Sequence, residues 1–460
     1  GLNNTGSQIL AVQSMTADVA SGTIDNSQAL MRTGQTLTLQ AGTITNVNTL
    51  ATANDGTPAP MGLEGQNVVL SASNIDNTQG AVRAVYNLNI QSDGLLHNDH
   101  GQLSAGQQLG ITSRTNTPPT TAPTLRMSND AGLVVADQSV VLRAGRLSGA
   151  GQIVSQGDVS LSLQGDHTLA GTLQAGGDLQ LQTTGTLTNP VTVQAGKNLS
   201  ITAGNLDNQA SGQLLSAQTT TLQISNTLTN RGLIDGADTR IQGATVNNLG
   251  TGSIYGDRVA IAANTLSNQE ETVGTTTRAA TIAGRERVDM GVQTLTNREN
   301  ALIYSGGDTA LGGSLNARWR ATGTAQSIHN NSATIEAAQA LTIQATNIRN
   351  TNEHFASQVQ QISQTAITEY QHAPGDVASA SDNSTRFAAS DTRIWDCESY
   401  CMTTVAGTSD AFVQYNYTRT VDASVVTQTA PGQILAGQGI TMTAETVLND
   451  KSQIVAGGTL

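Results

Sequence analysis

Lysine is almost missing from this sequence. Its 460 residues contain two, Lys197 and Lys451, against 19 Arg. With 34 acids the net charge is −13. So acidic a chain lacks the clustered cations on which phosphate affinity rests, which excludes nucleic acid as a partner. Charged residues are 12% of the whole, about half of what a soluble globular domain carries. Aromatics are 3%, and no 3.6-residue periodicity is sustained, so a large helical core is not expected. No apolar run reaches the roughly 18 residues that a membrane span needs. Gly1 opens in mid-pattern, with no basic segment followed by an apolar one. No signal peptide is visible, and the chain reads as an internal portion of something longer.

What is present is repetition. Residues 28–46 read QALMRTGQTLTLQAGTITN, residues 191–208 VTVQAGKNLSITAGNLDN and residues 332–350 SATIEAAQALTIQATNIRN. The unit closes on apolar-x-Asn at Asn26, Asn46, Asn77, Asn98, Asn129, Asn189, Asn208, Asn230, Asn248, Asn268, Asn297, Asn330 and Asn350, with Asn449 in a variant copy. The gap from Asn129 to Asn189 fits three copies, so two, near Gly149 and Thr168, have lost the Asn. The total is about 16 copies with a period of about 20 residues. Leu37-x-Leu39, Leu179-x-Leu181, Leu199-x-Ile201 and Leu341-x-Ile343 alternate apolar with polar, the pattern of short strands with one buried face. A unit this short cannot enclose a core and must stack on its neighbours. The expected fold is all-β: a right-handed parallel β-helix whose coils rise by ~4.8 Å, making a rod on the order of 75 Å long. One Asn per coil at one corner predicts a ladder of side-chain amides; turn preference alone also explains an Asn there.

Inserts fall at two corners. Residues 47–62, with Pro58 and Pro60, and 269–280 follow a closing Asn; residues 114–124 and 316–327, around Trp319, lie between the second and third strands. The largest insert divides the chain into β-helix at 1–350, an inserted segment at 351–430 and resumed coils at 431–460. The segment holds eight of the twelve aromatics, both cysteines, and nine acids against three Arg. Val413, Tyr415, Tyr417, Arg419, Val421, Ala423 and Val425 alternate as one long strand. Its expected partner is 355–370, bulged between Val359 and Ile362, which predicts an antiparallel two-stranded arm with 371–410 as its distal loop.

Catalytic and metal chemistry find little support. Polysaccharide-cleaving β-helices need grouped acids with Arg or Lys on one face, and here the acids are scattered. Gly-Gly-Asp at 176–178 and 306–308 lacks the rest of a calcium-binding nonapeptide. No zinc-protease, nucleophile-elbow or phosphate-loop motif occurs. The expectation is a non-enzyme without cofactor or metal. His97 and His100 are the only close His pair, but His97 occupies a slot that elsewhere holds Asp25, Thr45, Asp76, Thr188 or Arg349, which is the behaviour of a solvated position. If the chain is extracellular, Cys397 and Cys401 are expected to form a disulfide closing a tight loop. A zinc site or a redox pair is the weaker reading, since two thiolates without a nearby His fall short of four ligands. Phe387, Trp395 and Tyr400 flank these cysteines and are the candidate partner contacts, since Trp and Tyr dominate interface anchors; the other reading of these rings is structural.

The units AGGDLQLQTTGTLTN, AGKNLSITAGNLDN and SQIVAGGTL resemble the repeats of filamentous haemagglutinin. They are similar also to the stalks of contact-dependent growth-inhibition toxins. The resemblance covers nearly all of 1–350 and 431–460; NTNEHF…TEYQ, answered by YNYTRTV…APGQILAG, is a looser match to a segment that interrupts such stalks. It implies two-partner secretion through an outer-membrane β-barrel transporter and display on the outer surface of a Gram-negative bacterium. It also implies a stalk that holds a receptor-binding or toxic region toward a surface receptor on a target cell. The alternative is an adhesin segment that binds host cells or glycans directly.

Overall fold

The computed structural model describes residues 1–50, 61–114, 123–373, 385–398, 400–405 and 407–460. Among them no α-helix occurs, and no helix is long and apolar enough to cross a membrane. The chain divides into two compact units, Gly1–Glu353 with Pro431–Leu460, and His354–Ala430. The first is a parallel β-helix.

Three parallel ladders build it, because each coil presents three short strands to the coils before and after it. The first runs without interruption from Gln8–Ala11 to Gln453–Ala456. The second runs from Met15–Asp18 to Ile440–Thr443. The third runs from Leu2–Asn3 to Thr446–Asp450 with one lapse. Alternation along each strand sends every second residue inward. Leu37, Leu39, Leu179, Leu181, Leu199, Ile201, Leu341 and Ile343 are all buried. The core is a column of Leu, Ile, Val, Met and Ala; none of the unit's aromatics, Tyr86, Tyr255, Tyr304 and Trp319, is buried in it.

The closing asparagines stack as a column of buried amides. Each Nδ2 donates to the Oδ1 one coil on, at 2.7–2.9 Å: Asn26 to Asn46, Asn46 to Asn77, Asn77 to Asn98, Asn98 to Asn129. After a gap the column resumes from Asn189 through Asn208, Asn230, Asn248, Asn268, Asn297, Asn330 and Asn350 to Asn449. The same Nδ2 reaches a strand carbonyl as well, as Asn46 does at Ala81 O, 3.0 Å. Asn4, which closes Leu2-Asn3-Asn4, heads the column and was absent from the repeat set above. The residue two beyond the Asn turns the corner in the left-handed region: Gln28, Asn48, Gln79, His100, Ala131, Ser332 and Lys451 have φ of 49–56°. His100 is therefore a corner residue. At Gly101 and Gly132, which follow the corner, a Cβ would collide with the carbonyl oxygen of Asn77 or Asn98 one coil back.

The two copies without Asn mark the lapse. Gly149, at φ 92°, and Leu169 stand where the amides would be. The third strands Arg146–Ser148 and His167–Thr168 pair with neighbours on one side only. The His167 ring closes the opening. It is buried, with Nε2 3.0 Å from Gln164 O, above a cleft lined by Leu147, Leu161, Leu163 and Leu169. Burial holds its pKa below the ordinary 6.5, against the opposing pull of the carbonyls of Gln164, Gly145 and Leu147.

The inserts leave the ladders intact. Residues 270–273 and Thr276–Ala279 form an antiparallel hairpin after Asn268, anchored by Arg231 on both oxygens of Glu271 at 2.8 and 3.0 Å. Ser314–Leu315 pairs with Ala321–Thr322, so the insert around Trp319 begins slightly earlier than 316. Pro58, Pro60 and most of 114–124 lie outside the described residues. Across the largest insert the column passes directly from Asn350 to Asn449 and the first ladder from Thr334–Ala337 to Gln433–Ala436.

Two predictions follow from the column and its lapse. Asn230→Ala, which strands the amides of Asn208 and Asn248, is expected to lower stability by roughly 2–3 kcal/mol. Asn449→Ala, at an exposed position, is expected to cost less than about 1 kcal/mol; thermal melts compare the two. A histidine with a depressed folded pKa stabilises above its unfolded value and loses that contribution as pH falls through the folded one. Melts at pH 7.5 and 5 are expected to show a loss on acidification that is smaller in His167→Leu.

Candidate functional site

The unit His354–Ala430 carries the residues that sequence reading singled out. Its frame is the long antiparallel pair Ala356–His372 and Phe412–Gln428. The bulge is Ile362: Gln361 opposes Asp422 and Ser363 opposes Val421, so one residue has no opposite number. The segment beyond is more than a loop. Phe387–Ala388 adds a third strand against Glu369 and Tyr370, and Arg393–Asp396, Tyr400–Thr404 and Gly407–Ser409 form a separate small antiparallel sheet.

Both faces of the long pair are largely exposed, including Val359, Ile362 and Tyr417. Burial concentrates where the pair meets the small sheet. His372, Phe387, Cys401, Met402, Thr404 and Ser409 are all buried. His372 donates to or accepts from Thr404 Oγ1 at 3.1 Å and meets Phe387 edge-on at 5.8 Å. Tyr370 meets Phe412 in the same way at 5.9 Å, and the Arg386 guanidinium lies 4.0 Å over the Tyr415 ring. Aromatic and cation–π contacts do here what aliphatic stacking does in the β-helix.

Phe387 corrects one expectation: it is a core residue of this unit and is not available to a partner. Trp395 is 46% exposed and Tyr400 71%. The structure does not bring these two together. Trp395 opposes Cys401 and Tyr400 opposes Asp396, so alternation turns the two rings to opposite faces of the hairpin. Trp395 is fixed by its Nε1–H donating to Thr403 Oγ1 at 3.1 Å, while Tyr400 stands beside the turn. Cys397 and Cys401 are joined across that turn, their Cα atoms 5.9 Å apart, inside the span of a disulfide. Among the described residues no group of His, Cys, Asp or Glu is arranged to hold a metal. His97 faces Asp99, with Nδ1 3.6 Å from Oδ2.

The recurring Asn corner, the alternating strands and their stacked register identify the repeat. The haemagglutinin repeat matches at residues 63–116, 125–189, 179–281, 261–371 and 415–460. This chain belongs to the haemagglutinin-repeat family. No curated protein and no solved structure matches it. As a haemagglutinin-repeat protein it has the repeats of a filamentous, exported, adhesin-like stalk.

Sequence reading passed over Trp319 as a site, although Arg318-Trp319-Arg320 brackets an aromatic with two cations in an acidic chain, a signal visible without coordinates. For the cysteines, the double variant Cys397→Ser/Cys401→Ser is expected to leave the main thermal transition unchanged and to speed proteolytic cleavage within 393–409. Limited proteolysis with mass spectrometry reads both effects.

Proposed function

We infer that the chain is the stalk portion of a large bacterial surface filament, exported by two-partner secretion through an outer-membrane β-barrel transporter. Its work is mechanical: it holds a receptor-binding or toxic region away from the cell for contact with another bacterium, as in growth inhibition. No catalysis is assigned to it. The observation that carries this reading is the continuity of the first two ladders and the passage of the amide column straight across the insert, Asn350 to Asn449 at 2.8 Å. Length is what such a column supplies, since each added coil extends it without altering the last.

The second reading is an adhesin segment that binds host cells or glycans itself. The exposed Trp395 and Tyr400 favour it, because Trp and Tyr dominate interface anchors.

Removing residues 354–430 and closing Glu353 onto Pro431 separates the two. The stalk reading expects full surface display, an unchanged melt and undiminished attachment to target cells. Lost attachment with display intact transfers recognition to the insert and favours the adhesin. Lost display contradicts both.

A further inference from the structure

A second constellation lies on the β-helix itself, where the short hairpin of Ser314–Leu315 and Ala321–Thr322 folds over the second ladder. Its turn is tightly specified. Asn316 Oδ1 accepts the backbone N–H groups of Arg318 and Arg320 at 2.9 and 3.1 Å, and Trp319 N–H donates to Asn316 O at 2.9 Å. Trp319 is held at φ 58°, a conformation that costs a bulky residue of order 1 kcal/mol or more and persists only where the surroundings enforce it.

The enforcement comes from Asp289. This carboxylate is 4% exposed and receives Arg287 Nε at 2.7 Å, Arg320 Nη1 at 3.1 Å and Ala321 N–H at 3.0 Å. Its charge is therefore fully engaged in pinning the hairpin. The cleft beneath is lined by Asp238, Arg240, Arg258, Asp289, Arg318 and Trp319, and its volume is about 60 Å³. Arg240, bonded to Asp238 at 3.2 Å, lies 5.8 Å from the indole centre and supports one side of the ring. Arg258 is tied to Glu286 at 3.1 Å but stays 56% exposed. Arg318 is exposed and makes no ion pair among the described residues. Cations thus outnumber acids around one preset, partly buried indole, on a chain whose net charge is −13.

We propose that this cleft binds a carboxylated pyranose, a sugar acid at a chain end or within an acidic polysaccharide. The cleft is too small for a sugar ring and large enough for its carboxylate. The carboxylate enters between Arg318 and Arg258, whose planar forks match it. The pyranose stays outside, its C–H face on the indole, an apolar plane already oriented before the ligand arrives. The site lies within the β-helix and does not depend on what the filament carries.

The chain contains two tryptophans, so the full chain with Trp395→Phe reports on Trp319 alone. Titration with trigalacturonate is expected to give a saturable change in Trp319 fluorescence, and maltotriose none. Arg318→Ala, at an exposed position with no ion pair to lose, is expected to weaken binding about tenfold and leave the melt unchanged. A Trp319→Ala chain, followed by calorimetry, is expected to lose binding as well. The proposal is overturned by the absence of a saturable response, by an equal response to maltotriose, or by an Arg318→Ala chain that binds like its parent. Tighter binding of a heparin-derived tetrasaccharide, or of triglutamate, also overturns it, moving the site to sulfated glycans or to acidic peptides.

Discussion

Most coils of this chain bury a closing asparagine, and that amide is satisfied only with the help of the coils on either side. The amide of Asn230 is fully enclosed. It accepts from Asn208 and donates to Asn248 and to a strand carbonyl of the next coil. A lone coil would leave both ends of that amide, and both edges of three short strands, without partners. An unsatisfied buried amide costs about 1–3 kcal/mol, comparable to what one Leu gains by burial. The column therefore commits the chain to stacking, and the aliphatic slots supply the driving force once register is set.

The same constraint explains where the structure tolerates departure. Corners have no ladder obligations, so hairpins at 270–279 and 314–322 and the whole of 354–430 leave the chain there without breaking a rung. The interior tolerates far less. When two consecutive coils lose the Asn, third-strand pairing lapses between Ser148 and His167, and a buried imidazole must fill the opening. The His167 ring, held on Gln164 O, stands where a strand pairing is missing, and it makes this place sensitive to protonation.

The fold was legible because its signal repeats. The apolar-x-Asn corner, read many times over, specified both the strand register and the amide column, and counting alone located the two coils that lack it. Asn4 escaped because the copy before it is incomplete. The long alternating strand from Val413 to Val425 and its bulged partner were legible for the same reason: period two states a face directly. Sites were far less legible. Composition gathers Phe387, Trp395 and Tyr400 near the cysteines but does not say which ring closes a small core. Phe387 does so, against His372, because a unit without stacked aliphatic coils builds its interior from whatever large side chains it has. Nor does proximity in sequence survive alternation, which separates Trp395 from Tyr400. Trp319 went unread as a site because its surroundings, Arg240, Arg258 and Asp289, lie one to three coils back along the chain.

The central claim is that stability resides in the contact between coils and hardly at all within one. Thermal and denaturant unfolding of in-phase fragments ending at successive closing asparagines, Asn230, Asn248, Asn268, Asn297 and Asn330, measures this directly. Stability and the denaturant dependence of unfolding are expected to climb with each added coil, while a single coil such as 190–208 shows no β-structure in isolation. A folded single coil, or a stability independent of fragment length, would contradict the account.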